Sequence, residues 1–220
     1  MKATNHVIEW ATEAKIKQPA WMRFCEQMEI KAWSRQFEYP WAITNGKFKP
    51  GNLVLDAGGG NGMLQFLLSL TGCRVMNADS DPCQVVVTEK KKHPDWYGNI
   101  ELVNTDLASL PFPDRCFDNA ACVSVLEHID NPWPVLSELW RVLKIGGRLL
   151  LTFDVASYRR WNHSIDYGDA SRIVGWLGGS FGSAETDYKI VAEFDEVEPK
   201  LGEPKSVYLA CLGVACDKVE

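Results

Sequence analysis

The feature that most constrains this chain is a short apolar segment that runs directly into a glycine-rich loop. Residues 52–62 read NLVLDAGGGNG, so four of the five residues after Ala57 are glycine. Glycine loses more backbone freedom on folding than any other residue, and such a run costs stability unless the backbone conformation requires it. The loop therefore predicts a sharp turn against which a ligand lies with no side chain in between.

Beyond residue 52, short apolar segments alternate with helical patterns. The predicted strands lie at 53–55, 73–76, 100–103, 120–125 and 148–153, with two later candidates at 187–194 and 206–216. The early segments are apolar throughout rather than at every second residue, which is typical of a parallel sheet covered on both faces. The sequence therefore predicts an α/β fold with a doubly wound, mostly parallel, seven-stranded sheet, whose glycine loop lies at the ligand-binding edge.

The segments that flank this alternation predict additional parts. Residues 1–45 contain apolar residues at helical spacing and predict an N-terminal helical lid, which leaves 46–220 as the main domain. Within that domain, 154–186 begins where the regular alternation stops, and it predicts an insertion. Between the predicted strands, the pair at 131–132 predicts the start of a helix and the glycines at 146–147 predict its end.

Composition and charge exclude several classes of protein. The formal net charge is −6, which argues against a nucleic-acid partner because phosphate binding needs clustered Lys and Arg. Glu9 and Glu13 interrupt the start of the chain where a signal peptide would be apolar, and the longest uncharged run, 173–184, is too short to span a bilayer. The seven cysteines form no C-x-x-C pair, so no metal site is predicted. These features predict a cytoplasmic protein with no membrane partner.

The details of the loop indicate the charge of its ligand. A dinucleotide fingerprint, G-x-G-x-x-G, would need a glycine at the position of Met63. A dinucleotide site also offers helix N–H groups to a pyrophosphate, whereas here the anionic Asp56 precedes the loop. Asp56 suits a cation better than a phosphate. A positively charged ligand without phosphate is favoured, and an NAD(P)-dependent oxidoreductase remains an alternative.

The segment VLDAGGGNG resembles the first motif of the class I S-adenosylmethionine-dependent methyltransferases, and four further landmarks follow in order. VMNADSD, NTDLASLPFPDRCFDNA, ACVSVLEHI and LWRVLKIGGRLLLTF resemble the family's second strand, third-strand loop, fourth strand, and helix with fifth strand. The resemblance covers about residues 48–153 and is typical of the small-molecule, type 11-like branch. It implies a Rossmann-like methyltransferase fold and S-adenosyl-L-methionine as the cofactor, a ligand that carries an ammonium and a sulfonium group.

The resemblance also implies roles for individual residues. Asp79 would accept hydrogen bonds from both ribose hydroxyls, since a carboxylate can accept two at once. Asp106 would meet the adenine amino group with Leu107 near the ring, and Ser124 would lie near the methionine moiety. Purely structural roles also remain open for these residues. Asp79 could cap a helix, Asp106 could form a turn, and the Ser124 hydroxyl could simply be hydrogen-bonded within the protein. The predicted cofactor-binding residues are Asp56, Gly58, Gly60, Asn61, Gly62, Asp79, Ser80, Asp106, Leu107 and Ser124.

The catalytic residues are not identified by any motif. His128 and Asp154 follow predicted strands at the ligand-binding edge and are the candidates for a general base, although each also suits a structural role. Residues 154–186 are the predicted acceptor-binding insertion, with pocket candidates that are Tyr158, Arg159, Arg160, Trp161, His163 and Asp166. Tyr39 and Trp41 either stack on a ligand or pack within the N-terminal helices.

These features predict transfer of a methyl group to a small-molecule or sugar-bearing metabolite by direct displacement. Such a reaction mainly requires alignment of the acceptor with the methyl group, so the lack of an obvious catalytic dyad does not argue against an enzyme. Two alternatives remain: a non-catalytic cofactor-binding module that acts through a partner protein, and the oxidoreductase. The sequence gives no oligomeric state.

Overall fold

The computed structural model describes residues 35–84, 99–156, 165–181, 184–195 and 206–219. The predicted lid up to residue 34 and the pocket candidates at 158–163 lie outside these described residues. The elements, in chain order, are α1 Arg35–Asn45, β1 Leu53–Ala57, α2 Leu64–Leu70, β2 Arg74–Asp79, β3 Ile100–Asn104, β4 Phe117–Val123, a 3₁₀ turn Leu126–His128, α3 Trp133–Val142, β5 Leu143–Ala156, β6 Ile165–Asp166, α4 Tyr167–Ser180, β7 Ala184–Asp195 and β8 Ser206–Asp217.

One sheet organises the described residues. Seven strands form it in the order β3-β2-β1-β4-β5-β8-β7, and the two-residue β6 adds to β5. The pairs among β1 to β5 are parallel, whereas β8 runs antiparallel to both β5 and β7. The predicted seven-stranded, mostly parallel sheet is confirmed. Its strand order reverses between β1 and β4, and in open α/β sheets ligands bind at the carboxyl edge beside such a reversal.

Two hydrophobic cores lie on opposite faces of this sheet. Consecutive strand residues point to opposite faces, so Val54 belongs to the core under α1 and α2 while Leu55 belongs to the core under α3 and α4. The helices bury matching apolar residues at helical spacing, as Leu136 and Leu139 show in α3. Both faces of the central strands are therefore covered, as the uniformly apolar strands predict.

Helix α1 is part of the core on its face of the sheet. Tyr39, Trp41, Ala42 and Ile43 are all buried there. The Trp41 ring lies so close to Gly213 of β8 that a Cβ at position 213 would be 2.6 Å from the ring. This contact supports the packing alternative for Trp41 rather than stacking on a ligand. The division at residue 45 between a lid and the main domain stays a prediction.

Several predicted element boundaries differ from the structure, among them the end of helix α3 and both ends of β4 and β5. Helix α3 ends at Val142 rather than at the glycines, because Leu143 already pairs with Phe117 of β4. Gly146, with a φ of +75°, lies inside β5, where its N–H donates to the carbonyl oxygen of Lys218. Strand β4 ends at Val123, two residues earlier than predicted. In the described residues, no helix is both long and apolar enough to cross a membrane.

Candidate active site

A cavity of about 520 Å³ opens at the carboxyl edge of the sheet, beside the reversal of strand order. Loops that follow β1, β2, β3 and β4 line it. Its walls include seven of the residues predicted from the sequence, namely Gly58, Asp79, Ser80, Asp106, Leu107, Ser124 and His128. The volume is within the range of about 300–1,000 Å³ that is usual for small-molecule sites.

The first two glycines of the loop are required by its packing. Gly58 has a φ of +71°, and a Cβ there would lie 2.5 Å from a methyl carbon of Val125. A Cβ on Gly59 would lie 2.5 Å from the Asp56 carboxylate, a distance that no side chain tolerates. Gly60 has a φ of +50°, a left-handed conformation that glycine adopts readily. The glycines thus allow the loop to close tightly over the end of β1.

Two buried amides hold this loop in place. Gln65 of α2 donates hydrogen bonds to the carbonyl oxygens of Gly60 and Gly62, at 3.2 and 3.0 Å. Asn77 of β2 donates to the same Gly60 oxygen at 2.8 Å and to the Gln65 side-chain oxygen at 2.8 Å. Both side chains are almost fully buried, so the loop conformation is supported from beneath. The sequence reasoning missed both residues, although a lone Gln in the apolar run LQFLL was a signal.

Asp56 lies beneath the loop rather than in the cavity. Its side chain is 2% exposed, and its Oδ2 has no hydrogen-bond partner among the described residues. Burial and the negative charge of Asp79 raise the pKa of Asp56 to about 7, although Arg35 opposes the shift. Asp56 is among the ligand-binding residues predicted from the sequence. In the structure Gly59 covers the Asp56 carboxylate, so this anion does not face the cavity directly.

Asp79 ends β2 at the cavity wall, as the resemblance implies. Its Oδ2 accepts a hydrogen bond from the Gly60 N–H at 2.9 Å, and its Oδ1 accepts from the Asp81 N–H at 2.9 Å. Each carboxylate oxygen has a second lone pair, which leaves Asp79 able to accept from a ligand. The capping role that was the alternative for Asp79 is taken by Asp81, whose carboxylate accepts from the Cys83 N–H at 2.8 Å.

Asp106 and Leu107 form the next part of the wall, after β3. Asp106 is exposed, and its Oδ1 accepts from the Ala108 N–H at 2.9 Å, so it does form the turn that was the alternative reading. Leu107 is buried at 7% exposure and offers an apolar surface to the cavity. Asn61 contributes differently, because its amide binds the side-chain oxygen of Gln84.

Ser124 stands where β4 turns away from the sheet. It has a φ of +51°, which is uncommon for a residue with a side chain and is typical of functional sites. Its backbone N–H donates to the carbonyl oxygen of Thr152 at 2.9 Å, and its hydroxyl donates to Glu38 at 2.8 Å. Glu38, a fully buried residue of α1, also accepts a 2.6 Å hydrogen bond from the Thr152 hydroxyl and binds Arg35.

Two further carboxyl groups lie near this carboxylate. Burial and the charge of Glu38 raise the pKa of Asp154 to about 7, against the opposing effect of Arg35. Burial raises the pKa of Glu127 to about 8, and the charges of Asp154 and Glu38 add to the shift, although hydrogen bonds with its own backbone and with Ser124 oppose it. One oxygen of each, Asp154 Oδ1 and Glu127 Oε2, is shielded from solvent without a hydrogen-bond partner in the described ranges. No group of three or more His, Cys, Asp or Glu within those ranges is arranged to hold a metal ion.

A second, smaller cavity of about 190 Å³ adjoins the first. Ile129 and Asn131 line both cavities. Four acidic residues line the smaller one, namely Glu127, Asp130, Asp166 and Asp169. The only basic residue among its described lining residues, Arg172, pairs with Asp169. The described lining of the smaller cavity therefore contains more acidic than basic residues.

Comparison with known proteins shows which family this chain is similar to. Residues 55–151 match a family model described as a methyltransferase domain. The chain is 28% identical, over 80% of its length and 70% of the relative's, to the ubiquinone/menaquinone biosynthesis C-methyltransferase UbiE of Pseudoalteromonas translucida. These matches support a class I S-adenosylmethionine-dependent methyltransferase.

Solved structures of methyltransferases share the fold. A SAM-dependent methyltransferase from Aquifex aeolicus superposes with a TM-score of 0.61 at 20% identity, covering 87% of this chain and 96% of that one. The Haemonchus contortus phosphoethanolamine N-methyltransferase 2, solved in complex with S-adenosyl-L-methionine, gives 0.61 at 15% identity, covering 80% and 50%. The oxidoreductase alternative finds no support in the family model, and S-adenosyl-L-methionine is the cofactor of this methyltransferase.

The residues of the larger cavity fit that cofactor. Acceptors for hydroxyl and amino groups, Asp79 and Asp106, lie on one side of the cavity, and Ser124 lies on the other. The bare backbone at Gly58 borders the space between them. The individual contacts stay predictions. Of the two catalytic candidates, His128 lines the larger cavity, whereas Asp154 lines neither cavity as described. Sequence reasoning missed Glu38 and Glu127, since nothing in their local sequence marks them as buried.

Proposed function

We propose that the methyltransferase transfers a methyl group from S-adenosylmethionine to a small-molecule acceptor by direct displacement. The observation that carries the proposal is the cavity at the reversal of strand order, with a carboxylate after β2, a second after β3 and bare backbone after β1. The residues we propose to hold the nucleoside are Asp79, Ser80, Asp106 and Leu107. Gly58, Gly60, Asn61 and Gly62 would shape the loop around it, with Asp56 acting indirectly from beneath.

We further propose that the acceptor binds in the smaller cavity. The two cavities share part of their walls, so an acceptor there would lie next to the cofactor. The acidic lining disfavours a negatively charged acceptor, because desolvated like charges repel strongly. Neutral acceptors, including sugar-bearing metabolites and phenols, and cationic acceptors such as amines remain. Residues of the predicted acceptor-binding segment 154–186 line part of this cavity. Of the pocket candidates predicted in that segment, Asp166 is the one that lies among the described residues.

The protein's own residues have three tasks in this reaction. The site must align the acceptor atom with the methyl group and exclude water, and alignment alone can contribute on the order of 7–11 kcal/mol in ideal cases. An acceptor hydroxyl must also lose a proton, for which a group with a pKa near the working pH is best suited. Asp154 has that property, and His128 lies in the wall of the larger cavity. We propose these two as the candidate bases.

Two measurements test the proposal. Calorimetry with S-adenosylhomocysteine should show binding to the wild-type protein and a weakened interaction with Asp79→Ala. Incubation with methyl-labelled S-adenosylmethionine and three sets of acceptors, anionic, neutral and cationic, should then label the neutral or cationic set.

Absence of cofactor binding would refute the family function for this chain. Cofactor binding without labelled product, in the sets or in an extract of the source cell, would favour the non-catalytic module. Labelling of anionic acceptors alone would refute the role of the acidic cavity. A cytoplasmic location stays a prediction.

A further inference from the structure

Helix α1 directs one carboxylate into the carboxyl edge of the sheet, and no described α1 residue is among those that line the larger cavity. Glu38 is fully buried, 86 residues before Ser124 and 114 before Thr152. Its Oε1 accepts hydrogen bonds from both hydroxyls, at 2.8 and 2.6 Å, while its Oε2 binds Arg35. A buried carboxylate with three donors is a costly arrangement that a simple apolar contact could replace. Its location beside the cofactor cavity indicates a role in that site.

The hydrogen bond to Glu38 determines what the Ser124 hydroxyl can do. A serine hydroxyl has one proton to donate and two lone pairs to accept with. The Ser124 hydroxyl donates to Glu38 at 2.8 Å and also interacts with the Glu127 side chain, and while its proton is held by a carboxyl group the oxygen can only accept from the cavity. The left-handed backbone of Ser124 is held by the Thr152 carbonyl, and Thr152 in turn binds the same Glu38 oxygen. Glu38 therefore fixes both the position and the polarity of this hydroxyl.

The polarity of the hydroxyl indicates which part of the cofactor it meets. Asp79 and Asp106 lie in the cavity wall after β2 and β3, which leaves the end after β4 for the amino-acid part of the cofactor. That part carries an ammonium, which only donates, and a carboxylate, which only accepts. We propose that Glu38 is a positioning residue that presents Ser124 as an acceptor for the α-ammonium group of S-adenosylmethionine. The proposal rests on the proposed function of the larger cavity.

The test compares two ligands that differ in the amino-acid part. S-adenosylhomocysteine carries the ammonium, whereas 5′-methylthioadenosine keeps the nucleoside and lacks the amino acid. Calorimetry should show that Glu38→Gln weakens S-adenosylhomocysteine about tenfold and changes methylthioadenosine less than twofold, because the amide has one accepting oxygen for three donors and its NH2 group must face Arg35 or the two hydroxyls. Ser124→Ala should show the same selectivity. In a double-mutant cycle, introducing Glu38→Gln into the Ser124→Ala protein should weaken the affinity for S-adenosylhomocysteine by less than a further twofold, because Glu38 acts through Ser124.

A matched variant separates this role from a structural one. Thr152→Ser keeps the hydroxyl that binds Glu38 and the Ser124 N–H and removes only a methyl group, so it should weaken both ligands equally or neither. If Glu38→Gln does not fold, Glu38→Asp keeps the charge but withdraws it by one methylene, and the same selective loss is expected. Equal losses for both ligands, or an unchanged Glu38→Gln effect in the Ser124→Ala protein, would overturn the proposal. A wild-type protein that binds neither ligand would instead contradict the proposed function itself.

Discussion

The buried carboxyl of Asp56 makes a specific prediction about how stability depends on pH. In the folded protein its pKa is about 7, because burial and the charge of Asp79 disfavour ionisation. In the unfolded chain the pKa returns to about 3.9. Between these two values the folded protein keeps a proton that the unfolded chain releases. The contribution of Asp56 to the free energy of unfolding must therefore decrease as pH rises through this interval, and it levels off above pH 7.

The size of this effect follows from the two pKa values. A difference of about 3 pH units at about 1.4 kcal/mol per unit corresponds to on the order of 4 kcal/mol. Asp56→Asn keeps the shape of the side chain but has no proton to lose. Its amide also supplies a donor beside the Asn77 Oδ1 atom, which has no partner among the described residues. We expect the variant to match wild type near pH 4 and to exceed its stability by up to about 4 kcal/mol at pH 8.

Denaturant unfolding followed by circular dichroism at pH 4 to 8.5 measures both curves. Asp118→Asn is the matched control, because its effect on stability should depend on pH in the opposite direction. Partial burial alone would raise the pKa of Asp118, but hydrogen bonds from Lys144 and the Leu53 N–H lower it. The ionised Asp118 stabilises the folded protein above the pKa that this carboxyl has in the unfolded chain, and the stabilisation is lost in acid. Relative to wild type, Asp118→Asn should therefore be increasingly destabilised as pH rises. Parallel curves for Asp56→Asn and wild type over the whole range would refute the buried-proton argument.

Four further outcomes can be measured directly. Asp79→Ala should weaken S-adenosylmethionine about 10- to 100-fold by calorimetry, because it removes a charged acceptor; an unchanged affinity would contradict the site. Gly58→Ala should lower the free energy of unfolding by about 1–3 kcal/mol, from its positive φ and the contact with Val125. Gly213→Ala should cost a similar amount in thermal denaturation, and less in a Trp41→Leu background where the ring no longer occupies that space. Binding of S-adenosylmethionine near pH 7 should release protons from the buried carboxyls, measured in two buffers of different ionisation enthalpy, and S-adenosylhomocysteine, which lacks the sulfonium charge, should release fewer.

The sheet and the cavity wall were predictable because their signals are local. Apolar strands, a glycine run after the first, and an acid at the end of the second are each contained in a few consecutive residues. Element ends were less predictable, since they depend on distant partners. The glycines at 146–147 would end an isolated helix, but Leu143 pairs with Phe117, 26 residues earlier in the chain, and converts the segment to strand.

The supporting residues could not be predicted for a related physical reason. Nothing near Glu38 in the sequence shows that it contacts Ser124, because α1 must first pack on the sheet for the two to meet. The burial of Asp56 likewise depends on how Gly59 folds back over it, and on Asn77 from the neighbouring strand. A sequence pattern identifies which residues surround a ligand more readily than which residues hold them.

Charged side chains are paired at one edge of the sheet, whereas at the other edge buried carboxyl oxygens lack partners in the part of the chain that the structure describes. This difference indicates at which edge the ligand binds. At the amino edge, the buried Arg148 binds both Asp217 and Glu185 at 2.8 Å. At the carboxyl edge, buried carboxyl oxygens lack partners in the described ranges, and Ser124 holds an unfavourable backbone conformation. A protein selected for stability alone would satisfy both edges, since unpaired buried oxygens each cost free energy. Among the described residues, the buried carboxyl oxygens without partners lie at the edge where the cofactor's ammonium and sulfonium would bind, so a cationic ligand would relieve part of the energetic cost of this edge.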